Sequence, residues 1–80
     1  MERLKTAERK VVGMKQVLRG LKNGEISLVY VAEDADTFLF QRVSGKAEES
    51  RVPVIRVASM KELGKACGVD VATAAAGLLK

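Results

Sequence analysis

Lys15, Gln16 and Arg19 have the side-chain types and spacing to hold an anion and to read a hydrogen-bonding edge. They fall in the run Gly13-Met14-Lys15-Gln16-Val17-Leu18-Arg19. An α-helix turns about 100° per residue, so Lys15, Arg19 and Lys22, at i, i+4 and i+7, share one face. Met14, Val17, Leu18 and Leu21 take the opposite arc and must pack against a core. A helix N-terminus adds unpaired N–H groups that favour negative charge. Ammonium, amide and guanidinium groups on such a surface suit a nucleic-acid backbone and the base edges beside it.

Bond-breaking chemistry finds little support. The chain has no histidine, and its one cysteine, Cys67, can form neither an internal disulfide nor a Cys/His zinc site. Nothing marks a base to activate Ser27, Ser44, Ser50, Ser59 or Cys67, and no acid pair has a recognisable catalytic geometry. The chain is therefore expected to be no enzyme and to have no catalytic residues. Glu33, Asp34 and Asp36 cluster without a second acidic segment nearby in sequence, so they read as a polar turn with Asp36 capping the next helix. Gly64-Lys65 lacks the earlier glycine of a phosphate loop and falls mid-helix, which excludes a nucleotide-binding loop. No metal or cofactor is expected. Lys61 and Lys65 form an i, i+4 pair read as solvated, with a phosphate within reach of either.

Several elements must position these residues. A first helix is expected over roughly Leu4 to Lys10. A second starts at Gly13 and stops at Asn23-Gly24, two residues that tolerate left-handed backbone. Ile26 to Ala32 is apolar at nearly every position and rich in β-branched residues, the pattern of a strand covered on both faces. A turn over 33–37 leads into a helix through Phe38 to Glu49, with Gly45 as a weak point inside it. Pro53 opens a second buried strand, Val54 to Ala58. Ser59-Met60-Lys61-Glu62 fits a capping box, starting a helix that runs to Cys67 and ends at Gly68. The tail from Val71 to Leu79 is ambiguous: its alanines favour helix, but it is short enough to pair as a strand. The alternation points to an α/β fold, a three-layer α/β/α sandwich with a small mixed β-sheet.

Composition sets the outer bounds. The chain of 80 residues makes a single domain over 1–80, and a chain this size has little core to spare for a buried catalytic pocket. Its 48% hydrophobic and 30% charged residues are those of a folded protein. No run of about 18 apolar residues could span a membrane, and no apolar signal segment follows the charged start, so a cytoplasmic protein is expected. The net charge of +4 is unevenly placed: residues 1–22 carry 7 basic and 2 acidic side chains, whereas residues 23–80 carry 7 and 8. Such asymmetry favours a polyanionic partner.

Three blocks of the chain bear a family resemblance. They are Gly13-Met14-Lys15-Gln16 through Arg19 to Gly24; Val29 to Asp36 with Ala32-Glu33-Asp34-Ala35-Asp36; and Ser59-Met60-Lys61-Glu62-Leu63-Gly64-Lys65-Ala66-Cys67-Gly68-Val69-Asp70-Val71. In order and spacing they resemble the ribosomal kink-turn RNA-binding family (L-seven-Ae-like proteins), and within it the small bacterial YbxF-type members. The resemblance implies an α/β/α sandwich that binds kink-turns, RNA helices interrupted by a short bulge and followed by sheared G·A pairs. A-form RNA hides its base edges in a deep, narrow major groove. The bend of a kink-turn opens that groove to the start of a helix.

The resemblance makes Gly13, Met14, Lys15, Gln16 and Arg19 the RNA-binding element, with Lys22 holding a phosphate. Lys15 can donate to guanine acceptors, Gln16 can donate and accept, and Arg19 can bridge phosphate or guanine. Gly20 is expected to leave room for a close RNA backbone. The loop Val69-Asp70-Val71 would support an unstacked bulge nucleotide. Three departures from the family's usual pattern stand out. Lys15 and Gln16 replace the commoner Asn and Glu, Thr37 stands where Pro is common, and with the sequence ending at Lys80 the family's final helix is expected to be absent. The resemblance also makes Thr73 to Leu79 the last strand. The expected partner is structured RNA containing a kink-turn, either free or in the ribosome, with the protein acting as a monomer. The alternatives are a non-catalytic protein-interaction adaptor on the same fold and a constitutive ribosomal subunit.

Overall fold

A computed structural model describes residues 9–80. Its elements run β1 (Lys10–Val12), α1 (Met14–Lys22), β2 (Ile26–Ala32), α2 (Thr37–Glu49), β3 (Val54–Val57), α3 (Met60–Cys67) and β4 (Ala75–Leu79). The helix expected over Leu4 to Lys10 lies mostly outside the described residues. Its last member, Lys10, belongs to a strand instead, paired with Leu78.

The strands form one mixed sheet in the order β1-β4-β2-β3. β4 is antiparallel to both β1 and β2, and β2 is parallel to β3. β1, β2 and β3 therefore all end at the same edge of the sheet, where β4 begins. The tail resolves as a strand from Ala75, within the Thr73 to Leu79 span that the resemblance implied. Helix propensity loses there because strands flank β4 on both sides and its first four residues are buried. Its small side chains let helices approach both faces. A Cβ on Gly77 would already lie 3.2 Å from Ile26.

From Leu28 to Ala32, β2 is buried and covered on both faces, as its nearly continuous apolar run requires. Val29 and Val31 pack with Val17 and Leu21 of α1 and Val43 and Ala47 of α2. Leu28, Tyr30 and Ala32 pack on the other face with Leu63 and Cys67 of α3. Helices thus lie on both sides of the sheet, as the sandwich requires. Strand periodicity would put Ile26 on the same face as Leu28, yet the two join opposite clusters. A register shift between them accounts for the switch.

Two expectations need correction. β3 is not a buried strand: it lies at the sheet edge beside β2 alone, so Ile55 and Arg56 are exposed and Val57 is buried. The Arg56 guanidinium instead covers the Phe40 ring at 5.4 Å. Gly20 is not at the exposed surface. It is buried, and a Cβ there would sit 2.6 Å from Ile26 Cδ1, so its lack of a side chain serves the packing of α1 on β2.

Candidate nucleic-acid interface

The start of α1 differs from the starts of the other two described helices. Asp36 caps α2, accepting from the N–H groups of Phe38 at 2.9 Å and Leu39 at 3.4 Å. Ser59 caps α3 by accepting from the Glu62 N–H at 3.1 Å, and Asp34 accepts from the Met60 N–H at 2.7 Å. α1 begins at Gly13 with no side-chain cap and no acid in its first turn. It carries Lys15 there instead, although a cation near a helix N-terminus opposes the helix dipole by about 0.3–1 kcal/mol. Free N–H groups and a cation at one helix end both favour an anion.

Gly13 makes this start possible. Its backbone lies at φ 109° and ψ 151°, a region that residues with a Cβ rarely adopt. The Gln16 side chain folds back over it, and a Cβ at Gly13 would meet Gln16 Oε1 at 2.7 Å. The amide of Gln16 is thereby brought to the helix end, while Lys15 and Gln16 both remain exposed. Met14 is half-buried and, with Leu18, packs against the core behind the helix, alongside buried Val17 and Leu21.

The second candidate element, Val69-Asp70-Val71, lies in the loop between α3 and β4 and is tied to the first. The Gly13 N–H donates to the Ala75 carbonyl at 2.9 Å. The hydroxyl of buried Thr73 donates to that same carbonyl at 3.1 Å. One backbone oxygen thus joins the start of α1 to the end of the loop. The loop is anchored on its other side by Val69 N–H to Gly64 O and Thr73 N–H to Met60 O, each 3.1 Å. Gly68, at φ 78°, ends α3 and turns the chain into the loop. Val71 is 70% exposed, an apolar side chain presented to solvent. Val69, Asp70, Val71 and Ala72 line a cleft of about 200 Å³ with Lys61 and Lys65.

Not every expected residue gathers there. Arg19 lies one turn along α1, exposed. Lys22 sits at the far end of the helix, in a groove with Leu18, Arg42, Lys46 and Glu49. Three further residues shape the site. Gly64 is buried in α3, and a Cβ there would collide with the Val71 carbonyl oxygen, so the loop's course depends on its absence. Asp34 and Thr73 act through the hydrogen bonds given above. The acidic turn and the Thr73-Ala74-Ala75 run were visible in sequence, but the contacts they make cross the chain and have no local signature.

Among the described residues, no group of three His, Cys, Asp or Glu side chains is arranged to hold a metal. Burial pushes the Cys67 thiol up, against a smaller downward pull from the Lys10 ammonium, which disfavours the reactive thiolate. No described helix is long and apolar enough to cross a membrane.

Comparisons with known proteins identify the chain's relatives and its fold. The chain is 47% identical over 79 residues to "RNA-binding protein YbxF" of Geobacillus stearothermophilus, covering 99% of this chain and 96% of the relative. It is 46% identical to "RNA-binding protein GK0100" of Geobacillus kaustophilus, with the same coverage. Among solved structures, the Giardia lamblia 15.5kD RNA binding protein superposes with a TM-score of 0.87 at 28% identity, covering 99% of this chain and 67% of that one. A Bacillus halodurans protein of unknown function shares the fold, with a TM-score of 0.89 at 24% identity, covering 99% of this chain and 82% of that one. The profile of the ribosomal protein L7Ae/L30e/S12e/Gadd45 family matches residues 1–80, and the chain belongs to that family.

Proposed function

We propose that this protein is a non-catalytic RNA-binding protein that docks on kink-turns and stabilises their bent form. The observation that carries this reading is the start of α1. It is uncapped and cationic, has the Gln16 amide folded over Gly13, and is joined through the Ala75 carbonyl to a loop with an exposed valine. Relatives named as RNA-binding proteins support RNA as the partner class.

Each part has a role in the docked complex. Gly13 and the first turn of α1 enter the groove opened by the bend. Lys15 and Gln16 read the sheared G·A pairs, Lys15 donating to guanine acceptors and Gln16 both donating and accepting. Met14 sets the helix against the sheet so that these two face outward. Arg19 and Lys22 hold phosphates. Val69 and Val71 pack on the bulge nucleotide, and Asp70 keeps the tip of the loop between them polar. Binding favours the bent conformer because only that conformer presents both surfaces at once. The protein acts as a monomeric domain over residues 1–80 in the cytoplasm, and sedimentation with ribosomes at low and high salt tests whether it is also a ribosomal component.

Titration into two labelled RNAs tests the central reading. One is a kink-turn; the other has its G·A pairs replaced by Watson–Crick pairs. Bending is followed by fluorescence transfer. Tight binding and folding of the first alone are expected. Equal weak binding to both would refute kink-turn recognition and redirect attention to protein partners.

A further inference from the structure

The groove that receives Lys22 is cationic and is assembled from two helices. Leu18 and Lys22 come from α1, and Arg42, Lys46 and Glu49 from α2, around a volume of about 470 Å³. Arg42 and Lys46 are one helical turn apart and so share a face. The lining carries three cations and one carboxylate. Like charges gathered this way repel one another, and an anion placed among them relieves that repulsion.

Packing holds the groove in shape. Leu18 packs against the cluster that contains Val43 and Ala47 of α2. The Ser50 hydroxyl donates to the Leu21 carbonyl at 3.5 Å, linking the ends of the two helices. Leu18 also offers an apolar wall along which long cationic side chains can lay their methylene stems.

The groove lies downstream of the RNA-reading end. Lys15 and Lys22 are seven residues apart, about 10 Å along a helix at 1.5 Å per residue. Exposed Arg19 stands between them on the same face. A small anion would need only the groove. A continuous stripe from Lys15 through Arg19 to Lys22 and on to Arg42 and Lys46 matches an extended polyanion instead. We propose that this groove holds phosphates of a stem flanking the RNA bend, so that the RNA footprint crosses from α1 onto α2. The inference rests on the kink-turn reading and adds a partner surface to it.

The test compares a kink-turn RNA with long flanking stems and one whose stems stop at the base pairs next to the bend. The protein is used as wild type, as the double variant Arg42→Gln with Lys46→Gln, and as Glu49→Gln. Loss of two phosphate contacts should weaken long-stem binding by about tenfold at low salt and make its log–log salt slope shallower by about 1.8. Binding to the short-stem RNA should match wild type. Glu49→Gln should tighten long-stem binding by about twofold by removing the repelling carboxylate, a gain that misfolding could not mimic. Unchanged long-stem affinity in the double variant, or equal loss on both RNAs, overturns the groove. The kink-turn reading fails on a separate result, namely wild type binding the Watson–Crick control as tightly as the kink-turn.

Discussion

Lys15 and Gln16 carry the test of recognition at the level of single residues. Both are exposed, so truncating either should leave the core intact. A bidentate or well-placed contact to a base edge contributes about 1–3 kcal/mol of discrimination. Lys15→Ala and Gln16→Ala should therefore each weaken kink-turn binding by about tenfold or more, and binding to plain duplex far less. Equal losses on the two RNAs would reduce both residues to general charge or bulk. Gly64 tests the supporting loop. A Cβ there must displace the Val71 carbonyl, and overpacking of this kind costs about 1–3 kcal/mol. Gly64→Ala should lower the melting temperature and weaken kink-turn binding even though it touches no RNA. A variant with wild-type melting and affinity would mean that the loop's course does not depend on Gly64.

Within α2, Gly45 is the weak point. It is exposed, and a Cβ there would meet nothing within 4 Å. Glycine in a helix interior is about 0.8–1.0 kcal/mol less favourable than alanine. Gly45→Ala should stabilise the protein by about 0.5–1 kcal/mol and raise its melting temperature by a few degrees, read by thermal denaturation. A lower melting temperature would contradict the open surroundings of this position. The same local energetics explain which elements could be read in sequence. β2, α2 and α3 carry their own signals: an apolar β-branched run, the Asp36 cap, and the Ser59 and Gly68 boundaries. β1 is only three half-buried residues and owes its existence to pairing with β4. β4 has a helix-favouring composition, and only its flanking strands decide its state. The exposure of β3 follows from its place at the sheet edge, which no periodicity encodes. For the candidate site, Gly13, Lys15, Gln16 and Arg19 could be picked out because they fall in one short run, Gly13 at the cap position and the others in the helix it starts. Asp34, Gly64 and the Arg42–Lys46 side of the groove were not, because each acts across an interface between elements.

Across the whole molecule, folding redistributes the charge that the sequence presents. By position, the excess lies in residues 1–22, while residues 23–80 are slightly acidic. In the fold, Arg42 and Lys46 from the acidic portion join Lys22, whereas Asp34 and Asp36 are engaged at helix starts. The cationic surface is therefore larger than the sequence tally implies, and the proposed function divides it into a base-reading end at Lys15 and Gln16 and a phosphate-holding remainder. These two functions should respond differently to salt. Phosphate contacts release counterions, so neutralising about four phosphates gives a log–log slope of roughly −3 to −4. Between 50 and 200 mM salt, affinity for the kink-turn should fall by about a hundredfold. Affinity for the Watson–Crick control should fall in parallel. Hydrogen bonds to base edges are short-ranged and poorly screened, so the ratio of the two affinities should hold nearly constant across the series. A ratio that collapses toward one as salt rises would make the selectivity electrostatic, and Lys15 and Gln16 would then be phosphate ligands rather than readers of the G·A pairs.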